Sequence, residues 1–341
     1  MSMKRIEGIE LSKAIMILLV VYGHLLERQM LDGDSGGFIE VLYRWIYLFH
    51  MPFFFILSGF LYSTARPIGS YFFKKWNHLM LPYFAWLLLF NLKSIAGFGY
   101  NLVVVGMEPE KWTFYLNHFS DELYGGTRVH GAEVILWFPP CLFFTQQLFN
   151  FIKYRFKSER SIAVSIFLAY LLGYLGQFCY PEFTLPLALN IVAGALPLFY
   201  MGHLLRNEAI HQKALKYGLI PVMLVLYLAH ALPDWTTVHM RMGVYGVPVL
   251  STLAAMGAFT VILALCARLE RNWVLPFCLP VAGASMTIMY LHLSVINMAS
   301  AQGVEDLLLL FLVGTFGSIG IHFLFARTSM ASVLFLGLKR K

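Results

Sequence analysis

Ten stretches of mostly apolar residues follow one another along this chain of 341 residues, and they restrict its fold more than any other feature. A helix needs about 20 such residues to cross the hydrocarbon core of a bilayer. The sequence therefore predicts an all-α fold, a polytopic membrane helical bundle. No loop is long enough for a separate domain, so residues 1–341 are predicted to form a single integral-membrane domain. The predicted spans are 9–28, 41–62, 79–98, 133–152, 161–178, 185–205, 214–232, 244–266, 277–298 and 307–326.

The composition agrees with lipid as the main solvent. Only 13% of the residues are charged and the mean hydropathy is +0.69, whereas soluble domains carry about 25% charged residues. In a membrane protein, Lys and Arg report first on the orientation of the loops. The net charge of +7 is therefore no sign of nucleic-acid binding.

Basic residues are concentrated in alternate loops, which predicts the orientation of the chain. With the N-terminus in the cytoplasm, 18 of the 25 Lys and Arg residues fall in inward-facing segments, and 13 of the 18 Asp and Glu residues fall in outward-facing ones. A missed span would reverse this alternation, yet it persists to the end of the chain. The sequence thus predicts about ten spans with both termini in the cytoplasm. The basic residues assigned to the inner side are Lys4, Arg5, Arg66, Lys74, Lys75, Lys153, Arg155, Lys157, Arg160, Arg206, Lys213, Lys216, Arg268, Arg271, Arg327, Lys339, Arg340 and Lys341.

The first 26 residues share features with a secretory signal peptide, because Lys4 and Arg5 precede an apolar run. However, three further charged residues interrupt the start of that run, and no small-x-small cleavage site directly follows Leu26. We therefore interpret the segment as a retained first span.

Three polar groups of the first span share one helix face. Lys13 and His24 are 11 residues apart, close to three full turns, which places them about 16 Å apart along the axis. Glu10 lies one turn before Lys13, so we expect an ion pair near the cytoplasmic end. Ionisable groups at membrane depth are costly and are usually functional. The alternatives are that Lys13 extends to the inner headgroups and that His24 is a hydrogen-bonded structural histidine.

Two more histidines are predicted at a similar depth. His50 lies in the second span and His292 in the ninth, and both fall outward of the span midpoint, as His24 does. This common depth predicts one shared cavity. The alternative is that each is a separate, hydrogen-bonded core histidine. The remaining histidines lie in loops or near span ends and are interpreted as ordinary: His78, His118, His130, His203, His211, His230, His239 and His322.

Histidine is well suited to take a proton from an alcohol near neutral pH. The sequence contains no HExxH or P-loop motif and no GxSxG elbow, in which the serine stands at a strand-to-helix turn, and it offers no support for a serine hydrolase, a zinc protease or an NTPase. No paired intramembrane carboxylates support a lytic glycosidase, and the four cysteines show no zinc-ligand spacing, so no metal site is predicted.

A basic cluster is predicted at the inner mouth of the bundle. Lys13, Arg66, Lys74 and Lys75 would suit an anionic, phosphate-bearing cosubstrate that arrives from the cytoplasm. The same side chains could instead contact lipid headgroups.

Six short motifs in a fixed order resemble the acyltransferase-3 family of integral-membrane enzymes, which O-acylate bacterial surface and exported polysaccharides. The resemblance covers nearly the whole chain. The first motif is a basic residue followed after ten residues by His. The motifs are Lys13 to His24, Leu48–Phe60, Lys74–Lys75 through Leu81–Tyr83, Leu136–Phe138, Phe199–Gly202, and Ser285 to Tyr290–His292.

This resemblance implies an enzyme of the bacterial cytoplasmic (inner) membrane. Acyl-CoA, with acetyl-CoA as the expected form, would be a cosubstrate rather than a permanently bound cofactor. The acceptor would be a hydroxyl of a glycan or of a lipid-linked saccharide. His24 would act as general base or become transiently acylated, and Lys13, held by Glu10, would lie near the CoA. His50 and His292 would position a substrate or stabilise charge on the thioester oxygen.

Position 13 departs from the family pattern, because Lys stands where Arg is more common. Lys can pair with a phosphate as a point charge but lacks the bidentate fork of Arg, so the partner of Lys13 is open. Two other functions compete with the enzyme: a membrane carrier that exports a polysaccharide or an acyl group, and a structural partner in a glycan-synthesis complex. Membrane lipids are expected partners, nucleic acids are not, and the sequence also admits a homo-oligomer.

Overall fold

The computed structural model describes residues 3–31, 33, 37–269 and 274–338, and these ranges are almost entirely helical. The helices in the first half are α1 (Met3–Leu31), α2 (Gly37–Leu61), α3 (Ile68–Lys75), α4 (Leu81–Phe90), α5 (Leu92–Tyr100), α6 (Pro109–Tyr124), α7 (Phe138–Arg155) and α8 (Glu159–Cys179). The helices in the second half are α9 (Val192–Leu204), α10 (Glu208–Tyr217), α11 (Leu219–Ala231), α12 (Pro233–Thr236), α13 (Leu250–Leu269), α14 (Val274–Gly283), α15 (Ser285–Ala301), α16 (Leu307–Ala326) and α17 (Ser329–Leu336). Short π-helices, Trp76–Met80 and Asn101–Val105, and 3₁₀ helices, Gly131–Trp137 and Pro186–Ile191, extend several of them.

Within the described ranges, seven helices are long and apolar enough to cross a membrane. Two bent pairs raise the number to nine if each counts as one span. Ile68–Phe90 and Leu92–Val105 meet at 49°, and Leu275–Gly283 and Ser285–Ala301 meet at 76°. The all-α membrane bundle is thereby confirmed.

Nine of the ten predicted spans coincide with these helices and bent pairs. The remaining one, 214–232, falls on α11, whose 13 residues are short of the length that a span needs. The count of ten and the cytoplasmic termini stay predictions. The structure does not describe the side chains of several charged residues in this pattern: Lys4, Arg5, Asp32, Asp34, Asp234, Glu270, Arg271, Lys339, Arg340 and Lys341. The side chain of His230 also lies outside the described part.

Helix α1 occupies the centre of the bundle and packs against α2, α13, α14, α15 and α16. Many of its apolar residues are buried, as expected for a helix that is largely surrounded by protein: Ile9, Leu11, Ala14, Met16, Ile17, Val20, Val21, Leu25 and Leu26. The exposed large side chains of α8 and α16 are apolar instead, so these helices lie at the periphery. Polar groups on α1 therefore face other helices.

A glycine contact joins α2 to α9. A Cβ atom on Gly59 would lie 1.8 Å from the carbonyl oxygen of Phe199, and one on Gly202 would lie 1.8 Å from that of Ile56. Both distances are far inside van der Waals contact, so only glycine permits this approach. The contact fixes the position of α2, which carries His50.

A two-stranded hairpin precedes α13. Strand β1 (Val238–His239) pairs antiparallel with β2 (Val244–Tyr245), with His239 opposite Val244. A 3₁₀ turn, Met240–Met242, and the left-handed Gly243 close it. The hairpin packs against α2 and brings distant residues to the end of the bundle where α1 meets α2.

Candidate active site

His24 is held by a carboxylate one turn further along α1. The Nδ1 atom of His24 lies 3.0 Å from Oε2 of Glu27. The hydroxyl of Tyr47 on α2 donates to the same Oε2 at 2.8 Å and lies 3.5 Å from Nδ1 of His24. An ionised carboxylate only accepts hydrogen bonds, so Nδ1 carries the proton in the neutral ring. The Nε2 lone pair of His24 is then the free one.

The three predicted histidines lie together. The ring centroids of His24 and His292 are 5.3 Å apart, and Tyr47 bridges His24 to His50, with centroids 6.3 and 4.5 Å away. The sequence predicted one cavity shared by all three: His24 and His50 line a common cavity with Tyr47, whereas His292 lies beside His24 without lining it.

His50 and His292 are oriented alike by their own helices. Nδ1 of His50 lies 2.8 Å from the carbonyl oxygen of Ile46, and Nδ1 of His292 lies 2.7 Å from that of Ile288. A carbonyl accepts only, so Nδ1 is the protonated nitrogen in each neutral ring, and Nε2 is an acceptor. Both side chains are buried, and Nε2 of His292 has no protein partner among the described residues.

Four residues of this site were not predicted from the sequence: Glu27, Tyr47, His239 and Arg241. Nε2 of His239 lies 3.6 Å from Oε1 of Glu27, and its ring packs 5.5 Å from that of Tyr47. The interpretation of His239 as an ordinary loop histidine was wrong, because the hairpin carries it into the site. Glu27 could have been found from its i+3 spacing to His24, whereas no sequence signal links His239 to α1.

The cavity around these residues has about 560 Å³ of empty space, part of it open to solvent. Arg241 forms part of its wall, and its Nη2 donates to the carbonyl oxygens of Val129 at 2.7 Å and Thr127 at 3.3 Å. Burial lowers the pKa of Arg241, while the charge of Glu27 raises it; the guanidinium stays protonated. Its buried Nε has no partner among the described residues. The polar residues lining the cavity are His24, Glu27, Tyr47, His50, His239 and Arg241.

A second cavity lies towards the other end of α2 and contains three of the predicted basic residues. It has about 520 Å³ of empty space. Asn150 on α7 fixes its shape, since Oδ1 accepts from the Tyr62 hydroxyl at 2.9 Å and from the Arg66 backbone at 3.0 Å, and Nδ2 donates to the Arg66 carbonyl at 3.0 Å. We call this space the basic cavity. Its lining residues are Ser58, Leu61, Tyr62, Ser63, Thr64, Arg66, Tyr71, Lys74 and Lys75.

Lys13 and Glu10 form the predicted ion pair, with Nζ 2.8 Å from Oε2. Neither residue lines the basic cavity. The structure thus brings Arg66, Lys74 and Lys75 together but does not add Lys13 to that group.

Comparison with known proteins connects these sites to an enzyme family. The acyltransferase-3 family model, which describes an acyltransferase domain, matches residues 6–327. The chain is also similar to the nodulation protein NolL of Mesorhizobium japonicum, with 34% identity over 97 residues that cover 26% of this chain and 25% of the relative. NolL of Sinorhizobium fredii is 31% identical over 93 residues, which cover 25% of this chain and 24% of the relative.

The aligned segments span about a quarter of these two relatives. No solved structure matches the chain. The family match, in contrast, extends over both cavities and nearly all the helices. This multi-pass membrane protein therefore belongs to the acyltransferase-3 family.

Proposed function

We propose that this membrane acyltransferase transfers an acyl group, expected to be acetyl, from acyl-CoA to a hydroxyl of a cell-surface or exported polysaccharide or glycolipid. We place it in the bacterial cytoplasmic membrane, with the basic cavity towards the cytoplasm. The observation that carries the proposal is the hydrogen bond between His24 and Glu27, which leaves Nε2 of His24 free to accept a proton in a cavity that is partly open to solvent.

The chemical step follows from this geometry. Nε2 of His24 takes the proton of the acceptor hydroxyl while its oxygen attacks the thioester carbonyl. A C–O bond forms and the C–S bond breaks, and the proton then passes from the imidazolium to the departing thiolate. Glu27 stabilises the imidazolium between these events, as a carboxylate does for a catalytic histidine. Transient acylation of His24 would use the same lone pair.

The tautomers of His50 and His292 favour one of their two expected roles. Because their neutral rings present Nε2 as an acceptor, neither can donate to a developing oxyanion. His50 lines the cavity and can orient the acceptor hydroxyl, whereas His292 lies behind His24 without lining the cavity. Arg241 is the better donor, since its Nε–H is buried without a protein partner among the described residues. We therefore propose that Arg241 stabilises the negative charge that develops on the thioester oxygen.

The basic cavity is the proposed site for the phosphates of acyl-CoA. Arg66, Lys74 and Lys75 line it together, and charge-assisted hydrogen bonds from such groups to phosphate are strong. Along α2, Ser58 in this cavity is eight residues from His50, which corresponds to about 12 Å. A phosphopantetheine arm is long enough to cover that distance.

Replacing His24 with Ala tests the proposal. We expect acyl incorporation into the host's surface glycan, measured by mass spectrometry, to fall by about 10²–10⁴-fold, with unchanged protein abundance in the membrane. The control is His130→Ala, which alters an exposed histidine and should leave incorporation unchanged. Wild-type incorporation in the His24 variant would remove His24 from the chemistry. Loss of glycan export without any acyl donor would favour a carrier instead.

A further inference from the structure

Beside the basic cavity, one buried side chain has a polar atom without a partner. Gln146 on α7 is 3% exposed, and its Nε2 donates to Oγ of Ser58 at 2.7 Å. Its Oε1 has no hydrogen-bond partner in the described part of the chain. Exchanging the amide oxygen and nitrogen would only transfer the deficit to the nitrogen.

Such an atom needs an explanation. Leaving a buried acceptor unpaired costs the free energy of its lost hydration, so folded proteins seldom retain one without a reason. Other polar residues of α7 are satisfied: Thr145 donates to the carbonyl oxygen of Cys141, and Asn150 uses both of its amide atoms. The adjacent Gln147 also has a buried atom, Nε2, without a partner in the described ranges. What sets Gln146 apart from Gln147 is its hydrogen bond to Ser58, a residue that lines the basic cavity.

The position of Gln146 indicates where its missing partner would come from. Its hydrogen-bond partner Ser58 lines the basic cavity, and Ser58 lies eight residues along α2 from His50, about 12 Å away. A ligand that binds its phosphates to Arg66, Lys74 and Lys75 and extends towards the histidines must pass Ser58. The proposed donor would therefore run past Ser58 and its hydrogen-bond partner Gln146.

We propose that Gln146 and Ser58 form a binding subsite for an amide N–H of the pantetheine arm of the acyl donor. Oε1 of Gln146 accepts the hydrogen bond from the amide nitrogen, and the Ser58 hydroxyl keeps the Gln146 side chain in place. This inference rests on acyl-CoA as the donor. It assigns recognition of the arm to α7 and α2, separately from recognition of the phosphates by the basic side chains.

The test compares the binding of two probes to the purified full-length protein. Coenzyme A contains the arm, whereas adenosine 3′,5′-bisphosphate contains only the phosphorylated nucleoside. For Gln146→Met we expect CoA to bind about three- to tenfold more weakly, which is the loss of one hydrogen bond, while binding of adenosine 3′,5′-bisphosphate stays unchanged. Arg66→Ala should weaken both probes. Ser58→Ala removes less volume and should weaken CoA alone by a smaller factor, which provides a second variant if Gln146→Met folds poorly.

The matched control is Gln147→Met, which makes the same change one residue further along α7. Gln147 also has a buried atom without a partner among the described residues, but the hydrogen bond to Ser58 comes from Gln146. This control variant should bind both probes as the wild type does. Equal binding of CoA by the wild type, Gln146→Met and Ser58→Ala would overturn the subsite and leave the donor proposal intact. If the wild-type protein binds neither probe, acyl-CoA is not the donor, and both the donor proposal and the subsite proposal are overturned.

Discussion

At the scale of single residues, the site depends on how one carboxylate is shared. Glu27 accepts hydrogen bonds from Tyr47 and His24, and His239 lies 3.6 Å away. This arrangement fixes the proton of His24 on Nδ1 and supplies the negative charge that an imidazolium needs. A histidine without such a partner would populate both tautomers and lose part of its capacity as a base.

Replacing Glu27 with Gln should therefore lower the rate of acyl transfer by roughly 10²-fold or more, because the carboxylate that orients the base and stabilises its protonated form is lost. Activity of membrane preparations with a labelled acyl donor measures the effect. The matched control is Glu40→Gln, which removes a half-exposed carboxylate that pairs with Arg44 outside the cavity. A Glu27 variant as active as this control would contradict the role of the carboxylate.

Residue type alone allowed some residues of the site to be predicted, but not others. His24, His50 and His292 could be predicted because an imidazole is rare and costly in an apolar span. Tyr47 and Arg241 could not, because tyrosine and arginine are common near the ends of spans. Only the fold distinguishes the tyrosine and arginine side chains that line the cavity from those that face the membrane interface.

At the scale of elements, two of the motifs that resemble the family are packing motifs. Gly59 in α2 and Gly202 in α9 each fit against the backbone of the opposite helix. The sequence shows the glycines but not their partners, since the two helices are separated by more than 130 residues. Their physical role is to let α2 approach α9 closely.

Gly59→Ala and Gly202→Ala should each destabilise the protein by about 1–3 kcal/mol or more, because the added methyl group would force the helices apart. Thermal unfolding in detergent checks this. Gly320→Ala in α16 is the control, since a Cβ there meets no atom within 4 Å; it should be neutral or stabilising through higher helix propensity. Equal melting temperatures for all three variants would argue against the close packing.

The break between α4 and α5 is held by a polar network with helix α6. Asn91, at the break, accepts a hydrogen bond from Nε2 of His118 at 2.8 Å and lies 3.4 Å from Oε2 of Glu122. Burial raises the pKa of Glu122, and the charge of Glu133 raises it further. The folded state therefore holds this proton more tightly than the unfolded state, whose pKa is near 4.5.

Glu122 should lower the free energy of unfolding as the pH rises above about 4.5, because the unfolded chain then releases this proton more readily than the folded chain. Glu122→Gln keeps the hydrogen-bonding shape without the charge, so it should raise the melting temperature more at pH 8 than at pH 5. Glu110→Gln, on the exposed side of α6, is the control and should show no such difference. A shift that is independent of pH would contradict the assignment.

At the scale of the whole molecule, the proposed orientation determines which cavity meets which substrate. The basic cavity faces the cytoplasm only if the connection that includes α6 lies outside. Two exposed serines mark the two sides: Ser120 on α6, and Ser158 just before α8. Because Cys179 is exposed, a Cys179→Ser background is needed.

In that background, Ser120→Cys should react with a membrane-impermeant maleimide on intact cells, whereas Ser158→Cys should react only after permeabilisation. The positive-inside pattern is the reason for this expectation. Gel-shift labelling of the two variants measures it. Protection of the cysteine at position 120 together with labelling at position 158 would reverse the orientation and the proposed access of both substrates.

The sequence by itself determined that this is an all-α membrane bundle, because apolar runs of about 20 residues have few other stable forms. It also identified Lys13 with Glu10, the three histidines and the basic residues of one loop region, since charge and imidazole are conspicuous in apolar surroundings. Tertiary structure decided the rest. It bent two of the spans, left α11 short, separated Lys13 from the basic cavity and brought His239 and Arg241 beside Glu27. The approach of His239 and Arg241 to Glu27 joins residues more than 200 positions apart, which local patterns in a sequence do not encode.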